Sequence, residues 1–244
     1  MVNSLDKLVK VWKIGKLDYC QGLKLQKHLS TLHNDVENRI KNTLLCLEHS
    51  PVYTVGIRSN QYTVHEENEL RKKGAEFHRT NRGGLITFHG PGQLVVYPIL
   101  NLKHFKPSMR WYVCQIEKTV INLCKKFYLH AETSPHTGVW IGDNKICAIG
   151  IHGSRFITTH GLALNCNTDL KWFDHIVPCG IEGKGVTSLS RELQRNVTVD
   201  EVIPEFIKSF RSVFDCDTTD ISEQEAQSIL SQLKSGPEVV QNLG

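Results

Sequence analysis

The sequence predicts an α+β fold in which a mixed or antiparallel sheet is flanked by helices. Segments typical of strands occur in clusters and do not alternate one for one with helices, which argues against a doubly wound fold. Two stretches have the 3.6-residue apolar spacing of amphipathic helices. The 244 residues, 40% of them hydrophobic, can bury a substantial core. No repeat or linker divides the chain, so we expect a single domain over residues 1–244.

The predicted strands are short apolar runs separated by segments rich in glycine or proline. In chain order they are Leu8–Ile14, Thr43–Leu47, Val52–Val55, Ala75–Arg79, Leu85–Phe88, Leu94–Ile99, Val139–Ile141, Ile146–Ile151 and Phe156–Asn165. One helix is predicted to begin after an N-cap at Asp18. Three others are predicted over Trp111–Phe127, Leu170–Ile176 and Val202–Phe214. We expect residues from about 217 to 244 to form a polar tail.

Charge and cysteine content exclude several classes of function. Lys and Arg exceed Asp and Glu by only 29 to 25, too small a difference to predict nucleic-acid binding. No apolar stretch is long enough to predict a membrane span. The eight cysteines form no C-x-x-C pair and no secretory leader opens the chain, so we expect reduced thiols. The histidines lack metal-ligand spacing, and no metal is expected.

The segment from Arg82 to Gln93 contains four glycines and a proline, so its backbone must turn tightly or be approached closely. A hairpin with structural glycines would explain this composition. An arginine, a threonine and a histidine set among the glycines favour polar groups positioned around a ligand. The segment lacks the G-x-x-x-x-G-K-[ST] pattern of a phosphate loop, and no G-x-G-x-x-G follows a strand, so a nucleotide site is unsupported.

Two further segments carry candidate catalytic side chains. Lys145 follows a Gly-Asp-Asn turn and precedes an apolar strand, so it is either a solvated strand end or a lysine that projects into a cleft. Cys179 lies between Pro178 and Gly180, residues that favour a bend presenting the thiol. His175 and Cys179 at i, i+4 lack a second pair that would complete a zinc site.

These segments carry a resemblance. R-G-G-x-x-T-F-H-G-P-G-Q-L-V-x-Y-P, K-I-x-A-I-G, H-G-x-A-L-N and I-V-P-C-G-I, in this order, resemble the octanoyltransferases of lipoate biosynthesis, and the I-V-P-C-G segment resembles the animal mitochondrial branch. The similarity covers roughly residues 44–189. The resemblance implies a biotin/lipoate protein ligase-like fold and a mitochondrial location. It also implies transfer of octanoyl from acyl carrier protein to a lysine of lipoyl-bearing proteins such as the glycine cleavage H protein, without ATP or metal.

The resemblance also implies roles for individual residues. Cys179 is expected to carry the acyl group as a thioester, and Lys145 to lower its pKa and to act as general base. Many bacterial relatives have arginine in place of His152, so His152 is assigned no role. The substrate-binding stretches of the family match Arg82, Gly83, Gly84, Leu85, Ile86, Thr87, Phe88, His89, Ala148, Ile149, Gly150, Gly161, Leu162 and Ala163.

The chemistry can be argued independently of the resemblance. A free cysteine has a pKa of about 8.5, and a nearby ammonium favours the thiolate that attacks a thioester. Amide formation from the acyl-enzyme is strongly downhill and needs no ATP, and a neutral Lys145 can accept the proton of the incoming amine. Burying about six methylenes of an octanoyl chain contributes about 5 kcal/mol. Candidate wall residues for that chain are Leu85, Ile86, Phe88 and Ile149.

Two other classes of function stay open. An ATP-dependent lipoate or biotin protein ligase would keep a lysine like Lys145 but has no need of Cys179. A non-catalytic module that docks lipoyl domains would need neither side chain. Acyl transfer from octanoyl-carrier protein without nucleotide distinguishes the transferase from both.

Overall fold

The computed structural model describes residues 7–33, 42–58, 62–176 and 184–235. Its strands include every predicted one, with ends that differ by a few residues. They are β1 (Leu8–Leu17), β2 (Asn42–His49), β3 (Val52–Val55), β4 (Glu76–Arg79), β5 (Thr87–His89), β6 (Gln93–Ile99), β7 (Val139–Ile141), β8 (Asn144–Ser154), β9 (Ile157–Asn165), β10 (Gly185–Val186) and β11 (Asp217–Asp220).

The helices begin at residues whose side chains suit an N-cap. They are α1 (Tyr19–Leu32), α2 (Val64–Lys72), α3 (Met109–Lys126), α4 (Leu189–Leu193), α5 (Val199–Phe214) and α6 (Glu223–Ser235), with 3₁₀ turns at Leu102–His104 and Leu170–His175. Asp18 is the N-cap residue of α1, as predicted. Helix α2, which was not predicted, has a capping box in which Thr63 and Glu66 bond reciprocally. None of the described helices is both long and apolar enough to cross a membrane.

The main sheet is mixed, which confirms the predicted fold class. Its strands lie in the order β10-β8-β9-β6-β2-β1-β11. Strand β7 pairs with the beginning of β8. The pairs β1–β2, β1–β11 and β8–β10 are parallel, and the others are antiparallel. A separate small sheet has the order β4-β3-β5.

Alternating residues of the central strand β2 are buried on opposite faces of the main sheet. Leu44 and Cys46 belong to the apolar cluster that α3 and α5 cover. Leu45 and Leu47 belong to the cluster that α1 and α6 cover. Helices thus shield both faces, which explains why β2 and β6 are apolar along most of their length.

The C-terminal region differs from its prediction. Residues from about 217 were expected to form a polar tail, but Asp217–Asp220 adds strand β11 beside β1, and α6 follows. Ile229 is buried, and Ala226 and Leu233 pack against the same cluster. The few apolar residues of α6 are spaced to share one helical face, so a mostly polar segment can still cover the sheet.

Candidate active site

A cavity of about 470 Å³ lies between the β8–β9 hairpin and the segment that precedes β5. Its volume is in the range of sites for small organic ligands. The wall combines aliphatic and polar side chains from many elements. These are Tyr19, Arg58, Arg82, Gly83, Gly84, Leu85, Thr87, His89, Tyr97, Val113, Pro135, His136, Thr137, Lys145, Ala148, Ile149, Gly150, Ile151, His160, Gly161, Leu162 and Ala163.

The glycine-rich segment packs directly against strand β8. The Gly83 N–H donates a hydrogen bond to Ile151 O at 2.9 Å, and this bond holds the glycine-rich segment against β8. A Cβ atom at Gly150 would lie 2.9 Å from Gly83 O and 3.1 Å from Arg82 Cδ. Glycine is therefore required at position 150 because the two backbones approach so closely.

Arg82 organises the loop that it begins. Its guanidinium is buried and donates to the carbonyls of Thr54 at 2.6 Å, Gly83 at 2.9 Å and Leu85 at 2.8 Å. It also donates to Thr54 Oγ1 at 2.9 Å. The planar guanidinium carries several donors in fixed directions, so a single side chain fixes the loop and places a positive charge at the cavity wall.

A directional chain of hydrogen bonds continues from Thr54 through His89 and Gln93. Gln93 Nε2 donates to Phe88 O at 3.1 Å, so Gln93 Oε1 is the acceptor for His89 Nδ1 at 2.8 Å. His89 Nε2 then accepts from the Thr54 hydroxyl at 3.2 Å. The environment thereby fixes His89 as the neutral tautomer protonated at Nδ1.

The same chain reaches the strand that carries Lys145. Gln93 Nε2 also donates to Asn165 Oδ1 at 2.9 Å, and Asn165 Nδ2 donates to Thr187 O at 2.9 Å. The Thr187 N–H donates to Lys145 O at 3.0 Å. Buried, hydrogen-bonded side chains and the backbone of Thr187 therefore connect the glycine-rich loop, β9, the end of β10 and β8 into one unit.

Four titratable side chains at the cavity, two histidines and two tyrosines, are held neutral. Burial lowers the pKa of both His89 and His160 to about 3, and the nearby positive charge of Arg82 acts in the same direction. Burial raises the pKa of Tyr19 to about 12 and that of Tyr97 well above its ordinary value. Desolvation disfavours the charged form of each group. Near pH 7 these four side chains offer hydrogen bonds and no charge.

His160 has a left-handed backbone with a φ of 57°, which is uncommon for a residue other than glycine. Its N–H donates to Gln26 Oε1 at 2.7 Å, and its Nε2 lies 2.9 Å from Asn81 Oδ1. The strained residue pairs with Ile151, beside the cavity. Strain of this kind is frequent where a functional geometry is maintained.

Lys145 lies in the cavity wall with only 5% of the residue exposed. Its Nζ donates to Thr137 O at 3.3 Å and lies 4.7 Å from the centre of the Trp140 ring, a cation–π distance. Its aliphatic chain runs past Gly138, where a Cβ atom would be 3.3 Å from Lys145 Cε and 2.7 Å from Cys147 O. Of the two sequence-based alternatives, a lysine projecting into a cleft is thus the one observed.

The cavity wall includes most of the residues that were predicted to bind substrate. Lys145 and the predicted residues of β8 and β9 lie there, as do Arg82 to Leu85, Thr87 and His89. Ile86 and Phe88 do not: both are fully buried in a cluster with Tyr53 and Phe77. The reason is that alternate residues of an extended segment point to opposite sides. The predicted wall role of Ile86 and Phe88 is therefore wrong.

Cys179 lies outside the described residues, so its predicted role stays a prediction. The described cysteines are free thiols. Burial raises the pKa of Cys46, Cys124 and Cys216 to about 12, which keeps them protonated at neutral pH. Within the described ranges, no group of three or more His, Cys, Asp or Glu could hold a metal ion.

Several wall residues were not assigned by the sequence. Tyr97 and His160 lie inside quoted motifs, so their motif positions were a usable signal. Tyr19, at the start of α1, and Val113, on α3, come from segments without a recognisable motif. Only the packing of α1 and α3 on the sheet brings them to the cavity.

Comparison with known proteins defines the class to which this fold and site belong. The family model of the lipoyl protein ligase A/B catalytic domain matches residues 18–211, so the chain belongs to this family. Two solved structures show the same fold at low identity. Lipoate-protein ligase A bound with ATP has a TM-score of 0.68 at 15% identity, covering 94% of this chain and 95% of its own. LipL1 of P. falciparum in complex with lipoate has a TM-score of 0.67 at 16% identity, covering 93% and 72%.

Within the family, the chain is similar to octanoyltransferases. Proteins named octanoyl-[acyl-carrier-protein]:protein N-octanoyltransferase LIPT2, mitochondrial, are 61% identical in Danio rerio and 52% identical in Homo sapiens. The matches cover 86% and 71% of this chain, and 94% and 76% of those proteins. The octanoyltransferase of Desulforamulus reducens is 39% identical, covering 91% of this chain and 98% of its own. The resemblance inferred from the motifs is confirmed.

Proposed function

We propose that this protein transfers an octanoyl group from acyl carrier protein to a lysine of a lipoyl-bearing protein. The observation that carries the proposal is Lys145, a buried ammonium in the wall of a cavity that the octanoyltransferase motifs assemble. A relative that is 61% identical is named for this activity. Because these animal relatives and a plant relative are named mitochondrial, we propose the same location here.

In the first step, the Cys179 thiolate attacks the carbonyl carbon of the carrier-bound octanoyl thioester. A new S–C bond to Cys179 forms as the bond to the carrier sulfur breaks, and we propose that the carrier leaves as its thiol after taking a proton from the Lys145 ammonium, which becomes neutral. Lys145 is proposed to favour the thiolate through its positive charge. Thr137 O and the Trp140 ring hold the Lys145 ammonium in one direction, so little reorganisation is needed as charge develops.

The chain connectivity supports pairing of Cys179 with Lys145. Val186, seven positions after Cys179, pairs with Lys145 across β10 and β8. Before Cys179, the chain is anchored by Trp172, whose carbonyl accepts from Tyr53 Oη at 2.7 Å and whose ring stacks on Phe88 at 4.9 Å. A seven-residue connection can span up to about 25 Å, so the proposed pairing is compatible with chain length.

In the second step, the acceptor lysine amine attacks the acyl-Cys179 thioester. The amine must lose a proton as the C–N bond forms and the C–S bond breaks. Lys145, in its neutral form, is proposed to take that proton. The glycine cleavage H protein is a proposed acceptor. An amide is much more stable than a thioester, so we propose that neither ATP nor a metal is required.

The cavity suits a saturated chain of limited length. Leu85, Val113, Ile149, Ile151 and Leu162 provide aliphatic wall surface. Burial of six methylenes contributes about 5 kcal/mol, whereas one methylene changes binding by only about 0.8 kcal/mol. Burial alone therefore selects length weakly, and discrimination against longer chains must come from the closed part of the wall.

Intact-protein mass spectrometry with octanoyl-carrier protein and no nucleotide tests the proposal. We expect a stable octanoyl adduct on the wild type and on Cys114→Ser, which alters an exposed thiol as a matched control. Cys179→Ser should form no thioester adduct and should not octanoylate an acceptor. Full acceptor octanoylation by Cys179→Ser would refute the covalent mechanism.

ATP-dependent ligation is the second candidate because the chain shares its fold with lipoate-protein ligase A bound with ATP. The same assay, run with free octanoate and ATP, separates the two functions. Acceptor octanoylation only in the presence of ATP would establish ligation. Octanoylation from the carrier thioester without ATP would establish transfer.

A further inference from the structure

Acidic residues are excluded from two long segments that build the cavity. Residues 77–116 and 144–168 contain seven lysines and arginines and no aspartate or glutamate. The remaining chain has 22 basic and 25 acidic residues. The positive excess of the protein is therefore concentrated in the part of the sequence that surrounds the cavity.

Five exposed residues of these segments define a surface that we name the hairpin-tip patch: Lys103, Lys106, Arg110, Arg155 and Phe156. Lys103 Nζ lies 5.6 Å from the centre of the Phe156 ring, and the Leu102 N–H donates to Phe156 O at 2.8 Å. Met109, beside Arg110, packs against Gly153 at the end of β8. These contacts bring the start of α3 and the β8–β9 turn together.

The turn has an unfavourable sequence for its conformation. Arg155 and Phe156 have φ values of 49° and 68°, in a left-handed region that glycine or asparagine normally occupies in tight hairpins. Phe156 is nevertheless 45% exposed, so its ring is only partly used in packing. A strained aromatic residue that stays half-exposed beside basic side chains is therefore a candidate contact for a partner.

We propose that the hairpin-tip patch docks the acyl carrier protein through an acidic face of the carrier. The inference rests on the proposed function and assigns its donor to a particular surface. The basic side chains supply charge complementarity, which steers association. The exposed ring of Phe156 supplies an apolar anchor within this basic rim.

The distance from the cavity favours the donor over the acceptor. Strand β8 runs from Ile151, in the cavity wall, to Ser154. At ~3.3 Å per residue, Arg155 is roughly 13 Å beyond Ile151. A carrier protein holds its acyl group at the end of a long flexible arm, whereas an acceptor must reach the site with a lysine side chain. A patch set back from the cavity therefore fits the carrier.

Charge reversal at the tip tests the assignment. We expect Lys103→Glu/Arg155→Glu to lower kcat/KM for octanoyl-carrier protein about tenfold, through KM, and to leave the reaction with octanoyl-pantetheine unchanged. Lys125→Glu/Lys126→Glu, at the opposite end of α3 and about 24 Å from Arg110, is the matched control and should affect neither donor. An unchanged KM for the carrier in the tip variant would overturn the proposal.

Phe156→Gly gives a second test. It leaves the charge of the patch unchanged and is expected not to destabilise the protein. Glycine relieves the left-handed strain, so the Tm should be no lower than that of the wild type, while KM for the carrier should rise about threefold. An unaltered carrier KM would contradict the anchor role. Fluorescence anisotropy with labelled carrier measures docking directly. Transfer from neither donor would refute the proposed function, whereas equal carrier affinity of wild type and tip variant would refute the patch alone.

Discussion

The polar groups around the cavity and those on the outer layer of the protein are organised in different ways. At the cavity, His89, Gln93 and Asn165 are buried and each bonds to a specific donor or acceptor. On the outer layer, Lys13 pairs with Asp220 at 3.1 Å, with 48% and 67% of the two side chains exposed. Buried networks lose much stability when one member is removed, whereas exposed ion pairs contribute little.

This contrast indicates where the sequence is under physical constraint. The cavity region needs particular side chains because a buried donor or acceptor that loses its partner incurs the full cost of its desolvation. The outer ion pairs need only a charge of roughly the right sign. The effects of substitutions on activity or stability should therefore be about an order of magnitude larger at the cavity than on the outer layer. The following changes test that expectation.

The largest effect is expected at Lys145. Lys145→Met keeps the length of the side chain and removes the ammonium, so kcat for octanoyl transfer should fall at least 10²-fold, the usual range for loss of a general base. Lys13→Met removes a lysine from the outer layer and serves as the control, with unchanged kcat. Steady-state transfer assays measure both. Retention of more than half of the wild-type kcat in Lys145→Met would contradict the assigned role.

A large effect on stability is expected at Gln93. Gln93→Leu leaves His89 Nδ1–H, Asn165 Oδ1 and Phe88 O without their present partner, so the free energy of unfolding should fall by about 3 kcal/mol. Gln115 makes one side-chain hydrogen bond, to Val213 O at 2.7 Å, and Gln115→Leu should lose only about 1 kcal/mol. Urea unfolding compares them. Equal losses would show that the network has no special importance.

Stability should decrease in acid because three imidazoles are buried in the neutral form. Burial lowers the pKa of His49 to about 4 and that of His89 and His160 to about 3, whereas unfolded histidine titrates near 6.5. The unfolded chain then binds more protons, so the free energy of unfolding falls as pH drops from about 6.5 to about 4. Each histidine contributes a slope of about 1.4 kcal/mol per pH unit.

His89→Gln should reduce that slope by the contribution of one histidine. His130→Gln, at an exposed position, should leave the slope unchanged. Urea titrations at pH 5 and pH 6.5 measure the difference. If the slope is identical in wild type and His89→Gln, then His89 is not the buried neutral imidazole described here.

The smallest effect is expected on the outer layer. Asp220→Asn removes the partner of Lys13 and should change the free energy of unfolding by no more than about 0.5 kcal/mol. Added salt should remove even this difference, because exposed pairs are screened. A change of about 2 kcal/mol would mean that the outer ion pair stabilises the protein about as much as the cavity network does. That result would contradict the difference between the two regions.

Much of this organisation could be predicted from the sequence because it depends on local signals. Strands β3 and β7 have their predicted ends, and Asp18 occupies the N-cap position of α1 as expected, without a side-chain capping hydrogen bond. The wall contains Lys145, Arg82 and the predicted positions of β8 and β9. These residues could be predicted because they belong to motifs that occur in a fixed order along the chain. The close backbone approach predicted for the segment from Arg82 to Gln93 is the one observed between Gly83 and Gly150.

Features that depend on packing between distant segments could not be predicted. Ile86 and Phe88 have the same local composition as their cavity-facing neighbours, and only the direction of their side chains separates them. The apolar positions of α6 are too few to signal a helix until the sheet that they cover is known. The route from Gln93 to Thr187 joins residues 94 positions apart, a contact for which one sequence contains no signal.

The most direct measurement of the central claim is the pH dependence of Cys179 alkylation. A Cys20→Ser/Cys114→Ser background removes two exposed thiols. Burial leaves Cys46, Cys124 and Cys216 with pKa values of about 12 and also raises the pKa of Cys147 and Cys166. Iodoacetamide labelling, followed by mass spectrometry, then reports on Cys179. We expect Lys145→Met to raise the midpoint by at least one pH unit, because the thiolate loses a neighbouring cation. An identical midpoint in the two proteins would contradict this expectation.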